Sequence, residues 1–559
     1  MKRDRTMSSL QHFLRTAVAA ACLSALAACG TGNEPTPTPS VASTTLTGRF
    51  ATDVESGFSE IVAYHSASQS VFITADTATH PASFRRVGLR VMGSSALSSP
   101  LNDSNLTPGA FTDVGSHVND AQFTAGGVQA LAISGNLLAI AVKARIKTDN
   151  GVIAFYRLDE FGNSTYLKKV TVGSLPDGIA FSPDGRTLVV ANEGELSDTY
   201  STDGIDPLGT VSVIAISNQT PANTATTLDF SAFDNGAARA SERPAGVRIG
   251  IANNAFSKDA EPEYVSISAD SQTAYITLQE NNAVAVVDLS VNPPSISRLM
   301  ALGSKDHSLS ANALAPSDRV SPPFALQTFA NLKGLYMPDG IASYSVNGTP
   351  YIVTANEGDD RDDFLSPDET ARIKDLTLDP TAFPNADALK ADAVLGRLTV
   401  FKTMGDTDGD GDYDELYTLG GRSFSIYNAT TGQQVYDSGN TLETQVYGSY
   451  DTPLLNAAQV LGRLDNKGPE PEGVVIGQVG NRMYAFIGLE RASAVAMFDI
   501  SNPAAVTFVR LLRNTSDLAN GDISPEGLQF VPASQSHTGK ALLLVGHEVS
   551  GSLAVYTLE

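Results

Sequence analysis

A two-part phrase recurs along this chain, and its repetition constrains the fold more than any other feature. Its first half is Pro-acid-Gly. An apolar-alternating strand, a turn and a second strand follow, and the second half is a small residue, an amide and Glu. The clearest copies are Pro176-Asp177-Gly178 with Ala191-Asn192-Glu193, and Pro338-Asp339-Gly340 with Ala355-Asn356-Glu357. Looser copies start at Pro262-Glu263-Tyr264, Pro471-Glu472-Gly473 and Pro525-Glu526-Gly527, and end at Glu280, Glu490 and Glu548. Two weaker units, Ser59-Glu60-Ile61-Val62 to Asp76 and Gly127-Val128-Gln129-Ala130 to Lys143, bring the set to seven. Fixed-phrase repeats of two to four strands are the mark of a propeller.

The remaining strands of each unit read as short β-branched runs of period two between Gly, Pro, Asn and Asp. Third strands are expected at 211–216, 283–289, 396–401, 494–500 and 552–558, and fourth strands at 166–172 and 295–302. No long helical periodicity lies outside the leader. The expected fold is all-β: a seven-bladed β-propeller with long inter-strand insertions at 90–125, 196–209, 226–260, 304–335, 359–394 and 440–468. The last unit runs out after its third strand, and 45–51 is an orphan strand near the start. Docking that strand on the last blade removes an open sheet edge and closes the ring.

The first residues read as an export signal. Lys2, Arg3, Arg5 and Arg15 precede the apolar run 16–25, which is too short for a permanent membrane span. Leu26-Ala27-Ala28-Cys29-Gly30 resembles a bacterial lipobox, which implies cleavage before Cys29 and its acylation. Gly30, in place of Asp, points to the outer membrane. The expected organisation is a signal peptide over 1–28, a lipidated Pro/Thr tether over 29–44 and one propeller domain over 45–559. Cys22 and Cys29 are the only cysteines, so the mature body has no thiol chemistry, disulfide or Cys metal ligand. The net charge is −24, and the basic leader masks a still more acidic body. Such a body repels nucleic acid and attracts divalent cations.

Three constellations could carry chemistry. If the phrases keep one register, Asp177, Glu263, Asp339, Glu472 and Glu526 ring the channel mouth. Glu193, Glu280, Glu357, Glu490 and Glu548 form a second set, at an opposite or neighbouring rim depending on strand lengths. Packed like charges raise each other's pKa or demand a cation. The alternative is a structural device in which each carboxylate accepts backbone N–H groups; repetition in every unit favours it. The second constellation is Asp406, Asp408, Asp410, Asp412 and Asp414, with Gly411 at the sixth position as in a calcium loop. Tyr417 stands where an EF-hand needs Glu, so the expected site is a free-standing calcium turn. The third is Arg361, Arg422 and Arg491 beside the acidic phrases, able to hold an anion but better suited to ion pairs. No nucleophile elbow or phosphate-cradling loop is present; His547, beside Glu548, is the most notable histidine.

The segments 351–363, 408–439, 471–501 and 524–559 resemble, in order, the choice-of-anchor I family, which includes mesenchyme-specific cell surface glycoprotein-like members. The resemblance implies a YVTN/WD40-like propeller displayed outside the cell by varied anchors, here the lipid on Cys29. Some members carry alkaline phosphatase or phytase-like labels where fused to a phosphoesterase domain, and no such domain is visible here. The expected function is a lipid-anchored, non-enzymatic binding module that holds calcium and contacts an envelope protein or small ligand through its loops. The membrane is met only through the lipid, and no nucleic acid, nucleotide, haem or quinone is expected; the chain has no Trp for quinoprotein docking motifs. The alternative is a calcium-dependent phosphoric ester hydrolase.

Overall fold

The structure is a computed structural model that describes residues 43–51, 58–320, 324–457, 459–517 and 520–559. The leader, the Cys29 lipobox and the tether up to residue 42 lie outside the described residues, and residue 44, expected to end the tether, opens a strand. No helix among the described residues is long and apolar enough to cross a membrane.

The repeat units become antiparallel sheets whose strands run in chain order from the inside out. The first sheet uses Phe58–His65, Ser70–Ala75, Ser83–Gly88 and Pro108–Asp113. Next come sheets that begin at Ala125–Ser134, Pro176–Phe181, Pro262–Ile267, Ile341–Val346, Pro471–Val479 and Pro525–Val531. Each of these first strands touches the first strand of the next sheet, and Pro525–Val531 touches Phe58–His65. The sheets therefore circle one axis as a β-propeller.

Inner packing explains the sequence pattern. Ala541–His547 and Ser552–Leu558 are buried along their whole length, because both faces of a middle strand meet a neighbouring sheet. Such strands read as continuous apolar runs, as in Leu542-Leu543-Leu544-Val545. The cores lie between sheets: Val189, Ala191 and Val211 of one sheet pack with Ile276, Ala283 and Ala285 of the next. Outer strands such as Thr226–Asp229 are mostly exposed.

The orphan strand closes the ring. Thr44–Phe50 pairs antiparallel with Ser552–Leu558, from Thr44 opposite Leu558 to Phe50 opposite Leu553. Arg49 Nε donates to Asp522 Oδ1 at 2.8 Å in a buried pair, and Thr47 hydrogen-bonds Thr557. Deleting residues 43–51 should therefore lower the melting temperature far more than deleting 30–40. It uncovers a sheet edge and leaves Asp522 without its guanidinium partner, a loss of about 3–5 kcal/mol by itself. Equal melting curves for the two deletions would refute this role.

The structure departs from one further expectation. The run 396–401 is not a blade's third strand. Thr399–Phe401 belongs to a separate five-stranded sheet with Ser304–Asp306, Leu332–Leu335, Leu416–Thr418 and Thr370–Arg372, built wholly from insertions. The third strand is Ser423–Asn428, which pairs with Thr349–Asn356 across a long excursion of the chain. An apolar run next in sequence need not be the partner, because pairing is decided in space. The insertions also hold short helices, the longest described being Thr441–Ser449.

Candidate functional site

The acid of each phrase sits in a β-bulge. Pro176 faces Asn192 and Ile179 faces Val190, so Asp177 and Gly178 together oppose Ala191 alone. The same slip places Glu263 and Tyr264 opposite Thr277, Glu472 and Gly473 opposite Gly488, and Glu526 and Gly527 opposite Gly546. A bulge re-aims one side chain and frees one backbone N–H. Thr hydroxyls of the second strand take that N–H in two sheets: Tyr264 N donates to Thr277 Oγ1 and Ile61 N to Thr74 Oγ1. Asp177 does accept the Gly178 N–H. Because the first strand's start pairs with the second strand's end, both halves of the phrase lie at the same rim.

The amide of the phrase ties strands together within its sheet. Asn192 Nδ2 donates to Thr210 O and Ser212 Oγ, and Asn356 Nδ2 to Ser423 Oγ and Ser425 Oγ. The glycine serves the contact between sheets. A Cβ on Gly178, Gly340, Gly473 or Gly527 would stand under 3.0 Å from the carbonyl oxygen of Glu263, Glu472, Glu526 or Glu60, the acid of the next sheet. Gly340 N donates to that Glu472 oxygen at 3.0 Å.

The result is one acidic channel. A cavity of about 340 Å³ is lined by nine carboxylates: Asp177, Glu193, Glu263, Asp339, Glu357, Asp359, Glu472, Glu490 and Glu526. Glu280 lines an adjoining cavity of about 290 Å³ that shares Glu193, Glu263 and Asp359. Glu548 lines neither, but it raises the pKa of Glu526, as does Glu60. Burial, then neighbouring carboxylates, pushes Glu193, Glu263, Asp339, Glu472 and Glu526 well above the usual range. Burial likewise lifts Asp177 to about 6 and Glu490 to about 8. Glu263 and Asp177 are close enough to affect each other's proton affinity.

The arginines are placed as internal clamps. Arg361 is buried, with Nε 3.0 Å from Glu261 Oε1 and its Nη2 donating to Asp259 O. Arg422 is buried with left-handed backbone and donates to Ala315 O, Leu464 O, Asn466 O and Glu443 Oε1. Arg491 lies at the channel and bridges Glu470 at 3.2 Å and Glu490 at 3.1 Å. Buried His547 keeps an unpartnered Nδ1, and burial lowers its pKa.

The Asp-rich turn divides into two oxygen clusters. Asp406, Asp408 and Asp414 bring carboxylate oxygens within 4.8 Å of one another, as do Asp379, Asp412 and Asp414. Backbone donors shape the turn: Gly409 N and Gly411 N donate to Asp406, and Thr407 donates to Asp414. Asp410 raises the pKa of Asp408, the repulsion expected of packed carboxylates. The side chains suit a hard cation.

Sequence reasoning missed Glu195, Glu261, Glu470, Lys467 and Tyr264. Lys467 Nζ reaches Glu357 Oε1 at 2.7 Å, Asp359 at 3.4 Å and Glu470 at 3.7 Å. Nothing around Lys467 in the sequence announces this; its insertion folds back onto the rim. Tyr264 was legible as a departure, since it replaces the phrase's glycine, and its ring lines the channel among the acids.

Comparison with known proteins gives distant relatives. Gigasin-3a of Magallana gigas is 26% identical over 189 residues, 30% of this chain and 66% of that protein. The mesenchyme-specific cell surface glycoprotein of Strongylocentrotus purpuratus is 26% identical over 282 residues, 44% of this chain and 35% of that protein. The chain thus spans just under two thirds of one relative and about a third of the other. Among solved structures, Kuenenia stuttgartiensis hydrazine synthase aligns with a TM-score of 0.44 at 13% identity, covering 90% of this chain and 97% of that one. The WD40 domain of Toxoplasma gondii coronin aligns with a TM-score of 0.41 at 8% identity, covering 93% and 88%. The choice-of-anchor I domain matches residues 60–503, from the first acidic bulge to the sixth sheet, and the chain belongs to the choice-of-anchor I family.

Proposed function

We propose that this chain is a seven-bladed β-propeller held in the cell envelope, at the outer membrane, by the lipid on Cys29, where it works as a binding module. One observation carries the reading: nine carboxylates line the axial cavity at the rim where the phrases meet. The insertion after Glu357 begins at this rim, and the one that ends at Glu470 returns to it. Such a rim selects positively charged groups and repels phosphate. A phosphoesterase would need cations in place before its substrate could approach. The seven blades are supported by the cyclic contacts of the first strands. Calcium in the Asp406–Asp414 turn is supported by its two oxygen clusters.

Two measurements test the proposal. Cys29→Ser should move the protein from the membrane to the soluble fraction of the cell; unchanged fractionation removes the anchor. Nitrophenyl phosphate should release no phosphate with or without calcium. Calcium-dependent release would replace the binding module by the phosphoesterase.

A further inference from the structure

Two acidic triads stand side by side at the channel, and they differ in how their charge is met. Glu357, Glu470 and Glu490 bring their oxygens within 4.8 Å of one another. This triad is answered by internal cations. Lys467 pairs with Glu357 and Glu470, Arg463 with Glu470, and Arg491 with Glu470 and Glu490. Asp339, Glu357 and Glu472 form the second triad, again within 4.8 Å. Among the described residues its ion pairing is confined to the one contact of Lys467 with Glu357.

The second triad also contains groups the protein leaves unmet. Asp339 is only 7% exposed, yet its carboxylate makes no hydrogen bond or ion pair among the described residues. Glu472 Oε2 is buried without a partner. Both residues line the channel cavity. Glu357 is held in place from the other side, by Lys467 on Oε1 and by Gln279 Nε2 on Oε2 at 3.1 Å. A buried anion without a partner is costly unless a proton or a cation completes it.

We propose that Asp339, Glu357 and Glu472 bind one divalent cation, calcium, inside the axial channel. All three ligands are hard carboxylate oxygens in an irregular arrangement, which suits calcium better than the strict octahedron of magnesium. The cavity, at about 340 Å³, has room for the waters that fill the remaining positions. Asp339 and Glu357 come from the sheet that starts at Ile341–Val346, and Glu472 from the next, so the ion ties two sheets together at the axis. The triad binds calcium as an extracellular module does, with a Kd of about 10⁻⁴–10⁻³ M. The inference rests on the reading of the rim as cation-selective, and it is separate from the Asp406–Asp414 turn.

Calorimetric titration of the detergent-solubilised full chain with calcium chloride tests it. Four proteins are compared: wild type, a turn variant (Asp408→Asn with Asp414→Asn, the second residue being common to both oxygen clusters of the turn), a channel variant (Asp339→Asn with Glu472→Gln), and the combination. The expected result is two classes of calcium site in the wild type, one in each double variant and none in the combination. A channel variant that titrates like the wild type overturns the channel site but leaves the turn and the module standing. A turn variant without calcium binding also overturns the channel site. If no variant changes the titration, both calcium proposals fall. Should the channel double variant fold poorly, Glu472→Gln alone is close to isosteric. Its channel affinity should fall about tenfold or more, and an unchanged affinity overturns the assignment.

Discussion

Gly527→Ala will destabilise this protein by about 3 kcal/mol or more, the upper end of the cost of overpacking a close-packed site. The new methyl would sit under 3.0 Å from the backbone oxygen of Glu60 and the Cα of Ile61, where only a shift of the neighbouring sheet could relieve it. Neither Gly527 nor its counterparts at 178, 340 and 473 has a left-handed φ, so the cost is one of approach between sheets and not of conformation. Gly340→Ala would crowd the Glu472 carbonyl oxygen that the Gly340 N–H meets at 3.0 Å. Gly448 is the control. It lies in the helix Thr441–Ser449 with nothing within 4 Å of an added Cβ. Gly448→Ala should gain about 0.5–1 kcal/mol. Denaturant midpoints measure both. A Gly527→Ala midpoint as high as that of Gly448→Ala would show that the sheets are not in contact at the axis.

In chelator, the protein should become more stable as the pH falls from about 8 to about 5, the reverse of ordinary acid denaturation. The sign follows from which state holds the protons. Burial lifts Glu490 to about 8, Glu60 and Glu261 to about 7, and Asp177 and Asp360 to about 6. Their unfolded values lie near 4.5 for Glu and 3.8 for Asp. Between the two values the native state is protonated and the unfolded chain is not, so raising the pH through this window favours unfolding. For a fully shielded group, a tenfold difference in proton affinity between the two states corresponds to about 1.4 kcal/mol, and channel water reduces that figure. Below about 4 the order reverses, as carboxylates held low by their donors, such as Asp414, take up protons only on unfolding. The melting temperature should rise by about 5 °C across the window. Saturating calcium should remove part of the loss at the alkaline end, because burial also raises Asp339, Glu357 and Glu472, where metal and protons would compete for the same oxygens. A melting temperature in chelator that stays flat across the window would mean that water already solvates the channel acids.

The sequence alone was enough for the repeat, most of the strand positions and the closing strand. Each of these rests on local periodicity or on a fixed phrase. Leu542–Val545 must be buried on both faces wherever it sits. An unpaired strand such as Thr44–Phe50 must find the one open edge. The same sequence placed Asp177, Glu263, Asp339, Glu472 and Glu526 in one ring, because identical units carry identical positions to the axis. Four matters waited for the tertiary structure. The bulges that turn these acids inward are a mismatch between two strands, and a mismatch has no signature in either strand alone. The glycine of the phrase reads like turn chemistry; its reason is a carbonyl oxygen of the following sheet, supplied by distant sequence. Thr399–Phe401 has every local mark of a third strand, yet Ser423–Asn428 takes that place, because hydrogen-bond partners are chosen by position in space. Lys467 neutralises one acidic triad and leaves its neighbour open because an irregular insertion folds back over the rim. Repeats propagate through local propensity, which sequence encodes residue by residue. Charge balance is a sum over every group that folding brings near, and only the folded chain determines which groups those are.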